Sequence, residues 1–367
     1  MAPKGEIRTV AGLFLKLGFT AFGGPAVHIA LMRRETVDKR RWLSEQAFLD
    51  LIGATNLIPG PNSTEMAIHI GYLRAGWPGL IVAGVCFIVP AMLMVMGLAW
   101  IYARSGSLPQ VGWLLYGVKP VVVALLAHAL WNLGRKAIRT PIQKAGFAVI
   151  LAWYFLGGNE IALLLVGGAA LAMGSRRGGP AAAAIPIVAG KLPYSLGLLF
   201  LKFLRIGSVL YGSGYVLLPF LRRELVERTG WLTETQLLDA VSVGQFTPGP
   251  FFTTASFIGY LLGGVPGGLL ATLGIFLPAF CFVAISNPFL PRIRESQALG
   301  RFLDGVNVAS LALMGGAAWQ MGKAAVADAA CAGIFAAAAF LLFRRDASST
   351  WLIAGGGLIG IAVRWLS

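Results

Sequence analysis

Two short motifs, Pro59-Gly60-Pro61 and Pro248-Gly249-Pro250, each interrupt an apolar segment, and small polar residues follow. Proline removes a backbone donor and clashes with the preceding turn, so each motif ends one helix and lets another restart. A restarting helix presents unpaired N–H groups at the positive end of its dipole. Its first turn carries Asn62-Ser63-Thr64 in one case and Thr253-Thr254 in the other. Hydroxyl, amide and backbone donors at such an end bind an anion. The expected donors are Asn56, Ser63, Thr64, Gln245, Thr253 and Thr254, with the backbone amides of Gly60 and Gly249. Asn56 and Gln245 stand at equivalent places ahead of the two motifs and can donate from their side-chain amides.

Lys16, Lys202 and Arg205 fall within apolar segments, where a cation is costly unless it faces a cavity or a partner. In a cavity they would help neutralise a divalent anion; for Lys16, reaching to the membrane interface is the equal alternative. Glu65 and His69 are spaced i, i+4 after the first motif only, which suggests proton coupling, with a satisfied structural pair as the alternative. His28, just after Gly23-Gly24-Pro25, leaves the same choice open. Asp50 and Asp239 read as cap or loop anchors, with ion coupling as the sharper alternative. Ser/His/Asp triads, regularly spaced metal ligands, phosphate loops and dinucleotide fingerprints are missing from any credible context, so no catalytic residue, metal or cofactor is expected.

The elements that position these residues come in two copies. Residues 17–64 match residues 206–253 without a gap: Gly18 falls on Gly207, Arg33-Arg34-Glu35 on Arg222-Arg223-Glu224, Trp42-Leu43 on Trp231-Leu232, and Asp50 on Asp239. After a one-residue slip, Pro78-Gly79 meets Pro266-Gly267 and Pro90-Ala91 meets Pro278-Ala279. The division expected is a first repeat at 1–175, a linker at 176–194 and a second repeat at 195–367. Each repeat opens with a helix broken at Gly23-Gly24-Pro25 or at Gly212-Ser213-Gly214. Next comes the segment broken at Pro59 and Pro61, or at Pro248 and Pro250, and then four apolar spans. Ser44 and Thr233 are the N-caps expected for the first arms, which run to Ile58 and Thr247.

Each arm of roughly 14 residues is too short for a ~30 Å core, so the pair forms either one kinked crossing or a re-entrant hairpin. Loop charge favours the hairpin. With five crossings per half, about 18 basic residues lie on one side and about 8 on the other, whereas six crossings divide them almost evenly. An odd number inverts the second half, as in many secondary transporters. The fold expected is an all-α polytopic membrane protein, an inverted repeat of two five-span halves, each with a re-entrant broken helix.

Composition agrees with lipid as the solvent. The chain of 367 residues is 57% hydrophobic and 12% charged, with mean hydropathy +0.76. Its 30 Lys+Arg against 15 Asp+Glu fall mostly between apolar runs, which reads as retention of cytoplasmic loops and excludes nucleic acid as a partner. Cys86, Cys281 and Cys331 lie far apart in apolar runs and read as core residues.

Phe22-Gly23-Gly24-Pro25 with His28, Arg33-Arg34-Glu35, Trp42-Leu43 and Leu57-Ile58-Pro59-Gly60-Pro61, with Gln245-Phe246-Thr247-Pro248-Gly249-Pro250 in the second half, resemble the chromate ion transporter family. The likeness covers essentially the full chain and matches the long, two-domain members. It implies export of chromate from the cytoplasm through the inner membrane, driven by the electrochemical gradient, with sulfate as the look-alike tetrahedral dianion. Asn56 and Glu65 depart from the family pattern, which has Gln at both places, and a carboxylate near the site repels a dianion unless protonated or paired. The partners expected are an oxyanion such as chromate or sulfate and membrane lipid, with a homodimer left open. A membrane-embedded enzyme or assembly component is the rival class.

Overall fold

A computed structural model describes residues 4–105, 109–173, 193–211, 214–286, 297–345 and 347–366, all of them helix, turn or loop without a strand. Most of the expected linker, and Gly212-Ser213 in the second-half break, lie outside the described residues. The first half runs α1 (Lys4–Thr20), α2 (Pro25–Arg33), a π-helical turn (Arg34–Lys39), α3 (Glu45–Thr55), α4 (Asn62–Ser105), α5 (Pro109–Ala137), α6 (Pro141–Phe155) and α7 (Glu160–Met173). The second half repeats the order: α8 (Leu196–Val209), α9 (Leu217–Leu221), a π-helical turn (Arg222–Arg228), α10 (Glu234–Phe246), α11 (Thr254–Ser286), α12 (Gln297–Ala325), α13 (Ala329–Arg345) and α14 (Ser349–Leu366). Among the described residues, five helices are long and apolar enough to cross a membrane: Asn62–Ser105, Val111–Ala137, Phe251–Ser286, Gly300–Ala325 and Ser349–Leu366.

Helices α4 and α11 each contain a chain reversal. Gly76 (φ 62, ψ −149) and Gly264 (φ 61, ψ −151) occupy the same backbone region, one open essentially only to glycine. Pro78 and Pro266 then start the returning arm, where a missing N–H is harmless. In a straight helix Gly71 and Gly79 would be ~12 Å apart. Instead, a β-carbon at Gly71 would lie 2.9 Å from the Gly79 carbonyl carbon, and one at Gly259 2.8 Å from that of Gly267. Each helix is therefore an antiparallel hairpin whose arms touch backbone to backbone through glycine, the packing that membrane helices use where hydrophobic drive is absent. The short first arms, 62–75 and 254–263, come straight after the proline motifs.

Two compact units form, and each draws on both halves: Met1–Gly112 with Tyr194–Gly214 and Ala240–Pro291, and Trp113–Pro193 with Tyr215–Asp239 and Arg292–Ser367. In the first, α1 packs on α4, α8 on α11, and α4 on α11. A β-carbon at Gly18 would lie 2.9 Å from the Phe87 carbonyl oxygen, and one at Gly207 3.0 Å from the Ile275 carbonyl carbon, so both first helices press on backbone. Phe14, Met32, Phe48, Met66 and Phe87 form one buried cluster where α1, α2, α3 and α4 meet. In the second unit the halves exchange partners. Helix α12 packs on α6 and α7, while α5 meets α14 through Gly117, Gly356 and Gly360, a small-xxx-small contact. The Tyr116 hydroxyl donates to Asp328 (2.6 Å), which also caps α13 by accepting from the Cys331 amide (2.8 Å).

Candidate functional site

Both proline motifs lie in the first unit, and each docks on the other half. The Gly60 amide donates to the Leu210 carbonyl at the end of α8 (2.6 Å), and the Gly249 amide donates to the Ala21 carbonyl at the end of α1 (2.9 Å). Leu210 and Ala21 are repeat equivalents, so the two bonds are one contact made twice. The glycines are required: φ is +143° at Gly60 and +92° at Gly249, and a β-carbon on Gly249 would lie 2.6 Å from that of Ala91. These bonds correct one expectation. The amides of Gly60 and Gly249 hold the two halves together and are not open to an anion.

The second-half hydroxyls are corrected in the same way. Thr253 Oγ1 donates to the Pro250 carbonyl and Thr254 Oγ1 to that of Phe251, both at 2.8 Å, within a 3-10 turn at Phe251–Thr253. Such back-bonding uses up the hydroxyl proton. The first-half copy is different. Ser63, Thr64, Glu65 and His69 are all buried, and Thr64 Oγ1, both Glu65 carboxylate oxygens and both His69 ring nitrogens lack a hydrogen-bond partner among the described residues. Glu65 and His69 therefore do not satisfy each other, and the structural-pair alternative falls. Buried polar groups without partners are uncommon and need an explanation.

Around that group, Asn62 Nδ2 donates to Asn56 Oδ1 (2.8 Å), tying together the two sides of the first break. Asn56 is the C-cap of α3, which ends at Thr55, three residues short of the expected Ile58, whereas Ser44 caps its start by accepting from the Ala47 amide (3.1 Å). Thr233 caps α10 as expected, accepting from the Gln236 amide (3.1 Å). The Gln245 Nε2 donor is buried and unpartnered. Tyr211 stands within electrostatic reach of Glu65, a neighbour that the sequence reading did not identify. His28 Nε2 lies 3.1 Å from the Ala21 carbonyl, which already accepts from Gly249, so His28 reinforces the docking of the second break.

The basic residues disperse. Lys16 is exposed and 3.4 Å from Glu35, the carboxylate that Lys39 (2.9 Å) and Arg40 also engage. Lys16 thus has the carboxylate partner that a cation among apolar segments requires. Arg205 is exposed on α8, while Lys202 is buried there. Asp239 is buried and paired with Lys119 (2.9 Å), whereas Asp50 accepts from Gln46 (3.0 Å) in a more open setting. Lys119 lies in an apolar span and went unread because the repeat has no basic counterpart for it. Among the described residues no group of His, Cys, Asp and Glu could hold a metal ion.

The family model for chromate transporters matches this chain twice, over residues 8–173 and 197–361. The chain belongs to the chromate transporter family. It is 30% identical to the chromate transport protein of Cupriavidus metallidurans over 98% of this chain and 94% of the relative. It is 32% identical to the chromate transport protein of Pseudomonas aeruginosa over 82% and 78%. The uncharacterized transporter YwrB of Bacillus subtilis, 32% identical, aligns with 36% of this chain over 67% of its own length. No solved structure matches. These relatives are named as transport proteins, so for this chromate transporter homologue the rival enzyme reading is set aside. Multi-pass membrane insertion follows from the family and the five long apolar helices.

Proposed function

We propose that the protein is a secondary active transporter that exports a tetrahedral oxyanion, chromate with sulfate as its look-alike, across the cytoplasmic membrane. One observation carries the reading: a buried group of polar side chains without partners begins at the first proline break of a chain whose family is chromate transporters. Asn56, Asn62, Ser63, Thr64 and Gln245 supply donors to the anion. The hydroxyls of Thr253 and Thr254 accept but do not donate, and Lys202 adds positive charge. The halves are related as an inverted repeat, and the short arms after the proline motifs are re-entrant. Arms this short cannot cross a ~30 Å core, which supports the re-entrant assignment. Rocking of one bundle against another alternately opens the site.

Glu65 and His69 carry the proton. An ionised Glu65 beside the site repels a dianion and a protonated one does not, so anion and proton occupancy are linked. In proteoliposomes the wild type then shows saturable chromate flux that changes with pH and is competed by sulfate. Glu65→Gln retains flux but flattens its pH dependence. Full pH dependence in that variant removes the coupling role, and absence of saturable chromate or sulfate flux under every gradient removes the cargo.

A further inference from the structure

The turn between the first π-helical segment and α3 holds Arg41 at φ 52, the one non-glycine residue with positive φ among the described residues. Its repeat equivalent is Gly230, at φ 64. The fold therefore demands a left-handed residue here, the second copy meets the demand with glycine, and the first keeps an arginine in a strained conformation. Strain retained where glycine is available points to a use for the side chain. Arg41 is exposed and makes no hydrogen bond or ion pair among the described residues.

Its surroundings carry the same sign. Lys16, Lys39 and Arg40 share one carboxylate, Glu35, which leaves an excess of two positive charges before Arg41 is counted. The Arg40 and Arg74 guanidinium carbons lie 5.8 and 5.4 Å from the centre of the Trp42 ring, and Arg74 also pairs with Glu6 (3.2 Å). Arg34 is exposed too, whereas its equivalent Arg223 reaches the carbonyls of Gly157 and Gly158 and the buried Glu160 (3.2 Å). Thr229 replaces Arg40 in the second copy, so the patch belongs to the first half alone.

We infer that Arg34, Lys39, Arg40 and Arg41, with Trp42, form a docking surface for the phosphate headgroup of an anionic phospholipid. A basic cluster beside apolar spans, with tryptophan stacked under arginine, has the charge and the amphipathic edge that a bilayer surface recognises. The test is thermal unfolding of the full chain in detergent, titrated with phosphatidylglycerol or with phosphatidylcholine. Phosphatidylglycerol should raise Tm for the wild type while phosphatidylcholine does not. R34Q/R41G should bind phosphatidylglycerol at least about tenfold more weakly, and glycine at position 41 relieves the backbone, so the fold is kept. K136Q/R139Q, which removes two exposed cations elsewhere, should behave as wild type. An equal phosphatidylglycerol response in R34Q/R41G, an equal loss in K136Q/R139Q, or an equal Tm rise with inorganic phosphate would each overturn the assignment.

Discussion

The two copies of the proline break share a backbone and differ in what their side chains are free to do. Thr64 and Thr253 occupy the same repeat position; the first hydroxyl has no partner and the second donates to its own turn. Glu65 stands where the second copy has Thr254, and Asn62-Ser63 where it has Phe251-Phe252. The elements that hold the breaks together, Gly60 to Leu210 and Gly249 to Ala21, are by contrast the same in both. The same division runs through the basic turn that follows α2. Arg33 pairs with Asp38 (3.1 Å) and Glu45 (2.6 Å), and Arg222 pairs with the equivalents Glu227 and Glu234 (2.6 Å), but the first set is exposed and the second arginine is buried. Duplication has kept the joints, while at the breaks the first copy leaves Thr64, Glu65 and His69 without partners and the second commits Thr253 and Thr254 to their own turn.

The largest contrast expected between the copies lies at Asp50 and Asp239. Removing one partner of a buried ion pair leaves an uncompensated charge, so Asp239→Asn should cost about 3 kcal/mol of stability, and Lys119→Met a similar amount. The double variant Lys119→Met/Asp239→Leu should recover much of that loss, because it removes both charges together. Asp50→Asn, in its more open setting, should cost under about 1 kcal/mol. Denaturant unfolding in detergent measures all four, and equal losses at Asp50 and Asp239 would break the division into open and structural copies.

Next in size is the pair of motif glycines. Alanine at Gly249 meets Ala91 at 2.6 Å and the Gly18 carbonyl oxygen at 3.3 Å, both on helices that cannot yield, and its φ is strained; a loss of about 2–3 kcal/mol is expected. Alanine at Gly60 meets the end of the Glu65 side chain, which can move. Gly60→Ala should therefore lose less stability but alter the pH dependence of flux, and Gly249→Ala should do the reverse. Thermal unfolding and proteoliposome flux on the two variants separate these outcomes.

The repeat, the helical class and the two breaks were legible because proline, glycine and tryptophan recur in register, and each enforces a backbone feature by itself. The reversals at Gly76 and Gly264 were less so. Gly264 sits inside a continuous apolar run and Gly76 in one broken only by Arg74, and only the combination of glycine with proline two residues later marks the turn. The exchange of partners between halves had no sequence signal, since glycine faces such as Gly117 with Gly356 and Gly360 do not name their mates. In the site, residue type pointed to the right group but not to its state. Thr64 and Thr253 read alike, and only the 3-10 turn after Pro250 decides which hydroxyl is committed.

The smallest effect tests the basic turn of the first copy through pH. The Glu35 carboxyl is held down to about 2, from an ordinary 4.5, first by its hydrogen bond from Lys39 and then by Arg40 and Lys16, against a contribution from burial that opposes them. A depressed folded value means that the ionised carboxylate stabilises the fold fully above about 4.5 and loses that contribution as pH falls toward about 2. The surrounding cations are exposed and screened, so the contribution is about 1 kcal/mol. Glu35→Gln should thus be less stable than the wild type at pH 7, with more than half of the gap gone at pH 3. A gap that stays constant between those pH values would show that Glu35 acts through packing alone, and that the charge excess beside Arg41 is not organised around it.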